Sequence, residues 1–155
     1  MEWNVYRYNI NTKKIEPMNI FRHSRFEDDV IKAMRTCKTK EAIAERREMI
    51  IFESIKSVMK AELFGTPNVV SAETSTLNMF QIKLALSMHC DVVIAFDNDV
   101  SRAESAKFLS TLRKYTNVYW IDDKERLLGT YKDKMSPVDK GKEIWDYLYK
   151  RKVRI

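Results

Sequence analysis

Short apolar runs alternate with stretches of helical periodicity from residue 49 to the end of the chain. Four runs have the length of buried strands, at residues 49–52, 68–71, 91–96 and 117–121. Apolar positions three or four apart predict helices at residues 54–64, 77–89, 101–115 and 139–151. Such alternation favours parallel pairing, because parallel neighbours need a long crossover between them. The pattern predicts an α/β fold with a mostly parallel four-stranded sheet flanked by helices.

The first part of the chain follows a different pattern. Residues 3–10 alternate partly, as a strand with two usable faces does, and residues 11–13 predict a turn. Residues 14–20 predict a returning strand, which Pro17 keeps short or at an edge because proline has no amide hydrogen to donate. This segment therefore predicts a β-hairpin.

Helices are predicted to complete the N-terminal segment. Ser24 and Glu27 have the spacing of a capping box, in which the two side chains satisfy the first free helix amides. A second helical stretch covers residues 40–48. We interpret residues 1–48 as a hairpin-plus-helix appendage of unknown role and residues 49–155 as the main domain.

Composition narrows the class of protein. A chain of 155 residues with 45% hydrophobic and 32% charged residues fits one soluble globular domain. Its apolar runs are far shorter than the ~20 residues that cross a bilayer, and residues 1–4 do not begin a secretory signal. Cys37 and Cys90 form no CxxC pair, which argues against structural zinc or a disulfide framework. We expect a cytoplasmic protein that has no membrane partner.

The net charge of +6 leaves two interpretations open. A basic protein is drawn to polyanions such as nucleic acid, because binding releases counterions. A generally solvated basic surface explains the charge equally well. Lys56 and Lys60 lie four apart on one predicted helix face, and Arg102 lies close behind Asp99. All three are candidate phosphate or nucleic-acid contacts, with a solvated face as the alternative.

Acidic residues follow two of the predicted strands. Glu53 comes directly after residues 49–52, and Asp97 and Asp99 come directly after residues 91–96. Ligands of open parallel sheets bind beyond the carboxyl ends of the strands. If these two strands are neighbours, ~5 Å apart, three carboxylates converge and repel one another unless a cation lies among them.

Hard oxygen ligands with room for water and phosphate are the ligands that Mg²⁺ prefers. Phosphoryl transfer is the chemistry that such an ion promotes. The alternative for Asp99 is a role as a helix N-cap, which is common for an acid that follows a strand.

Four segments in chain order resemble the Toprim domain of phage and bacterial DnaG-like DNA primases. Residues 51–60 with 64–71 resemble its first motif, and Leu77 and Gln81 fall where the family has Leu and Gln on the next helix. Residues 92–99 look like its DxD strand end. Residues 136–141 are similar to a tail motif of phage-type members. The resemblance covers about residues 49–155 and implies a Toprim-like, that is Rossmann-like, sheet.

The resemblance also implies an activity and a set of partners. Glu53 is expected to act as a metal ligand or general acid/base, Asp97 and Asp99 to hold Mg²⁺ or Mn²⁺, and Asp139 to be a weaker fourth ligand. The expected function is nucleotidyl transfer of the DNA-primase type in phage or plasmid replication. Expected partners are single-stranded DNA or RNA, nucleotides, and a helicase or separate primase subunit. A stand-alone metal-dependent nuclease and a non-catalytic remnant or interaction domain are the alternatives.

Several positions depart from the family pattern. Ser54 stands where the family usually has glycine, and residues 71–75 replace a glycine-containing loop. Met135 stands where phage-type members often have an acid. Residues 1–48 match neither the zinc module nor the template-holding subdomain of a working primase, so a fragment or a specialised stand-alone protein is compatible with the sequence.

Overall fold

The computed structural model describes residues 5–9, 14–18 and 37–155. Strands β1 (Val5–Asn9) and β2 (Lys14–Met18) pair in antiparallel register. This pairing confirms the predicted hairpin, and Pro17 lies within β2. The capping box predicted at Ser24 and Glu27 lies outside the described residues.

The main sheet has five strands in the order β4-β3-β5-β6-β7. They are β3 (Glu48–Phe52), β4 (Val69–Ser71), β5 (Asp91–Ala95), β6 (Val118–Trp120) and β7 (Val153–Arg154). The first four in chain order pair in parallel, and β7 adds to β6 in antiparallel register. The mostly parallel α/β sheet is confirmed, whereas the predicted count of four strands is wrong. A strand of two residues is too short to produce an alternation that sequence periodicity detects.

Five α-helices belong to the described part of the chain. They are α1 (Cys37–Arg46), α2 (Ile55–Leu63), α3 (Met79–Ser87), α4 (Ala106–Leu112) and α5 (Lys142–Lys150). Helix α4 is shorter than predicted, because Ser101 and Glu104 bond to each other in the turn before it. The sequence predicted a helical stretch that reaches Glu48. Helix α1 instead ends at Arg46, and Glu48 is the first residue of β3.

The sheet is buried on both faces, as the continuous apolar run of β5 predicts. Residues along β3 and β5 belong alternately to two separate apolar clusters, one on each face of the sheet. One cluster joins the sheet to α1, α3 and α4, and includes Ile43, Ile82 and Leu112. The other joins it to α2 and α5, and includes Val58 and Trp145. Within the described part of the chain, no helix is both long and apolar enough for a membrane crossing.

Gly65 closes helix α2 with a left-handed backbone conformation. Its φ of +86° is left-handed, and the amides of Gly65 and Thr66 donate to the carbonyls of Glu62 and Ala61, which is a Schellman cap. A Cβ at Gly65 would meet nothing within 4 Å, so only backbone strain opposes a side chain. We expect Gly65→Ala to lower the free energy of unfolding by ~1 kcal/mol. A thermal melt should show this loss of stability. Gly65→Asn should lose only about half as much, since asparagine tolerates the left-handed conformation. An unchanged melting temperature for Gly65→Ala would refute the backbone strain.

Candidate metal centre

The carboxyl ends of β3 and β5 form the base of the site. The two strands are parallel neighbours, with Phe52 opposite Ala95. The chain leaves β3 towards α2 on one face of the sheet and leaves β5 towards α4 on the other. Connections that diverge in this way open a crevice at the strand ends, which is where open α/β sheets bind ligands.

Three acids from these strand ends lie close together. One carboxylate oxygen from each of Glu53, Asp97 and Asp99 lies within 4.8 Å of the others. The main-chain amide of Asp97 donates to Glu53 Oε2 at 3.1 Å, which fixes the Glu53 carboxylate across the gap between the strands. The structure therefore brings together the three acids that the sequence singled out.

Burial and mutual repulsion raise the pKa of two of these acids. Burial contributes most to raising the pKa of Asp97 to about 7, and the charges of Glu53, Asp139 and Asp99 add to it. Burial also raises the pKa of Glu53, against the hydrogen bond from the Asp97 amide. Both shifts mean that the ionised cluster is unfavourable where it stands, and a cation among the carboxylates would relieve it.

The donor set fits a small divalent ion. All donors are hard carboxylate oxygens, and Asp97 Oδ1 is buried without a hydrogen-bond partner among the described residues. Buried oxygen atoms rarely remain unpaired. Ligand bonds of ~2.1 Å span oxygens up to ~4.2 Å apart, so side-chain shifts of under about 1 Å bring all three acids to one ion. Mg²⁺ and Mn²⁺ are the ions of this chemistry.

The residue between the two aspartates holds a loop over the site. Asn98 donates through Nδ2 to the Thr130 carbonyl at 3.1 Å, and its Oδ1 accepts from the Met135 amide at 2.9 Å. The Asn98 amide also donates to the Met135 carbonyl at 3.0 Å. These bonds place Lys134, whose Nζ lies 3.6 Å from Asp99 Oδ2. The sequence predicted no role at the site for Asn98 or Lys134. The nearest signal in the sequence was Met135, which stands where phage-type members often have an acid.

The other predicted residues have partners elsewhere or face solvent. Asp139 accepts from Lys60 Nζ at 2.5 Å and from the Ser136 amide at 2.9 Å, so both of its oxygens are engaged. Arg102 pairs with Asp122 at 2.8 Å. Lys56 is exposed on α2. The described structure thus groups Lys60 with Asp139 and leaves Lys56 the more accessible of the two helix lysines.

The loop that replaces the expected glycine-containing segment is held by a side chain. Glu73 has a left-handed backbone, with φ at +53°. Its Oε1 accepts from the Ile55 amide at 2.8 Å and from the Ser71 hydroxyl. A carboxylate therefore satisfies the first free amide of α2, a position at which a helix favours negative charge.

A cleft opens beside the DxD segment. Its volume is about 540 Å³. Asp97 and Asp99 lie at its wall, and its basic and aromatic lining includes Arg102, Arg126 and Tyr131. Tyr131 is 72% exposed. The cleft is large enough for a small ligand such as a nucleotide.

Comparison with known proteins adds one distant relative. No family profile matches the sequence. The SPbeta prophage-derived uncharacterized protein YorJ of Bacillus subtilis (strain 168) is 33% identical over 138 residues. The match covers 76% of this chain and 36% of the relative, so the chain spans about a third of the relative's length. The chain is thus similar to part of a longer prophage protein.

Proposed function

We propose that this chain is a Toprim-type protein of the DNA-primase class, which joins nucleotides by Mg²⁺- or Mn²⁺-dependent phosphoryl transfer. The observation that carries the proposal is the meeting of Glu53, Asp97 and Asp99 within 4.8 Å at the carboxyl edge of a parallel sheet. The four ordered segments that resemble Toprim motifs support it, and with it a Toprim-like sheet. The prophage origin of the relative agrees with a role in phage or plasmid DNA replication.

The proposal gives each acid of the site a role. A bound divalent ion supplies charge stabilisation for the transferring phosphate and its leaving oxygen. Asp97 and Asp99 would hold the ion. Glu53 would offer a further oxygen to it, or would take or return a proton at the reacting hydroxyl.

The cleft beside the acids indicates the substrate. Nucleotides, and single-stranded DNA or RNA as template, are the substrates of this proposal. Arg102 and Arg126 line the cleft and offer phosphate contacts, and Lys56 offers another from α2. A helicase or a separate primase subunit is the protein partner that the same proposal implies.

The test separates joining from cutting. Purified protein is incubated with single-stranded template, ribonucleotides or deoxyribonucleotides and Mg²⁺ or Mn²⁺, and the products are resolved on a denaturing gel. We expect short primers that disappear when EDTA is added. Cleavage of the template without nucleotides would replace the proposal with a metal-dependent nuclease. Neither product, together with no metal binding, would leave a non-catalytic domain of this fold.

A further inference from the structure

The acid cluster has a lysine built into it. Lys134 Nζ lies 3.6 Å from Asp99 Oδ2. One carboxylate oxygen from each of Glu53 and Asp97 lies within 4.8 Å of one from Asp99. The ammonium group therefore lies directly beside the cluster of three acids.

Hydrogen bonds within the loop and from Asn98 fix the backbone that carries Lys134. Asp133 Oδ2 accepts from the Thr130 amide and hydroxyl, both at 2.8 Å. A Cβ at Gly129 would lie 2.8 Å from that oxygen and would displace it, and the φ of Gly129, +94°, favours glycine. Lys134 has a left-handed backbone with φ at +47°. The next residue, Met135, donates its amide to the Asn98 side chain. The position of the lysine follows from these bonds, although its side chain is 73% exposed.

The charges leave room for one divalent ion. Asp139, the nearest further acid, already has its oxygens bonded to Lys60 and the Ser136 amide. One divalent ion together with the Lys134 ammonium balances the three ionised carboxylates. A second divalent ion would exceed this balance of charge and would be repelled by the lysine.

We propose that Lys134 is a tethered second cation of the acid cluster, so that the centre binds a single divalent ion and the ammonium contacts the substrate phosphate beside it. Two-ion phosphoryl-transfer sites place positive charge on both sides of the reacting phosphate, and here a side chain supplies one of the two charges. This inference rests on the proposed function and names the charge arrangement of the same site.

Calorimetric titration of the full chain with Mn²⁺ at pH 8 tests the ion count. We expect one Mn²⁺ per wild-type chain. Lys134→Gln should bind the ion about three- to tenfold more tightly, because a nearby positive charge is lost. Lys134→Arg should resemble the wild type. The matched control is Lys132→Gln, which removes the same charge from an exposed neighbour in the loop and should change the affinity less than twofold.

A second titration, with ATP at saturating Mn²⁺, tests the phosphate contact. Lys134→Gln should bind ATP at least fivefold more weakly, while Lys132→Gln stays within twofold of the wild type. Two Mn²⁺ per wild-type chain, unchanged Mn²⁺ affinity in Lys134→Gln, or equal ATP binding by both lysine variants would overturn the inference and leave the proposed function standing. Absence of any Mn²⁺ binding to the wild type would overturn both.

Discussion

Replacing Asp97 with asparagine is expected to stabilise the protein without metal and to remove its response to metal. The pKa of Asp97 is raised from its ordinary value of 3.8 to about 7, so the folded state binds the proton more tightly than the unfolded chain does. Stability is therefore lost as the pH rises from about 4 to about 7, and the loss is complete above that range. Asparagine carries no charge and escapes this loss.

The size of the effect follows from the same pKa. One pKa unit corresponds to ~1.4 kcal/mol, and the coupling of Asp97 to neighbouring acids and its partial burial reduce the full value. We expect Asp97→Asn to gain roughly 2 kcal/mol at pH 8, or about 4–8 °C in melting temperature for a chain of this length. The gain should vanish at about pH 3 and below, where the aspartate is protonated in both states.

A bound metal ion is expected to make the wild type more stable than Asp97→Asn. Mg²⁺ or Mn²⁺ should raise the melting temperature of the wild type by mass action and leave that of Asp97→Asn unchanged. The proposed primer synthesis should fall at least ~100-fold in Asp97→Asn, the scale seen when one transition-state contact is lost. Glu143→Gln, which removes an exposed acid from α5, is the control and should behave as the wild type. A metal-dependent rise in Asp97→Asn equal to that of the wild type would refute the site.

Strand ends could be located from the sequence because of two simple patterns. The apolar run of β5 is buried on both faces, and the acids directly follow it and β3. The meeting of Glu53 with Asp97 depended on the order of the strands, which the sequence did not determine. All four parallel strands are short and apolar, so nothing in their composition distinguishes neighbours from non-neighbours.

The loop above the site could not be predicted for a different reason. Lys134 lies in a polar stretch without periodicity, and its place is set by the left-handed backbone at its own position and by bonds from Asn98, 36 positions upstream. Long-range bonds of this kind leave no local pattern. Strand β7 was missed for a related reason, since its pairing with β6 requires the chain to reverse after α5.

Trp145 packs helix α5 against strand β3, which Glu53 directly follows. Its side chain is 1% exposed, its ring lies 5.4 Å from that of Phe52 and 5.3 Å from that of Tyr149, and Nε1 donates to the Thr66 hydroxyl at 3.0 Å. Trp145→Ala would leave a cavity beneath the residue that precedes Glu53. The cost of such a truncation is ~3–5 kcal/mol, a large part of the ~5–15 kcal/mol that keeps a domain folded.

We expect Trp145→Ala to lower the melting temperature by about 6–20 °C, at ~2–4 °C per kcal/mol, and to lower the denaturant midpoint with it. Trp145→Phe keeps most of the ring but loses the donor to Thr66, so it should cost less, about 1–2 kcal/mol. Tyr115→Ala removes an aromatic ring that is 71% exposed and should change stability by under ~0.5 kcal/mol. Equal melting temperatures for Trp145→Ala and Tyr115→Ala would mean that α5 does not support the strand beneath the acids, and the rigidity of the Glu53 position would need another source.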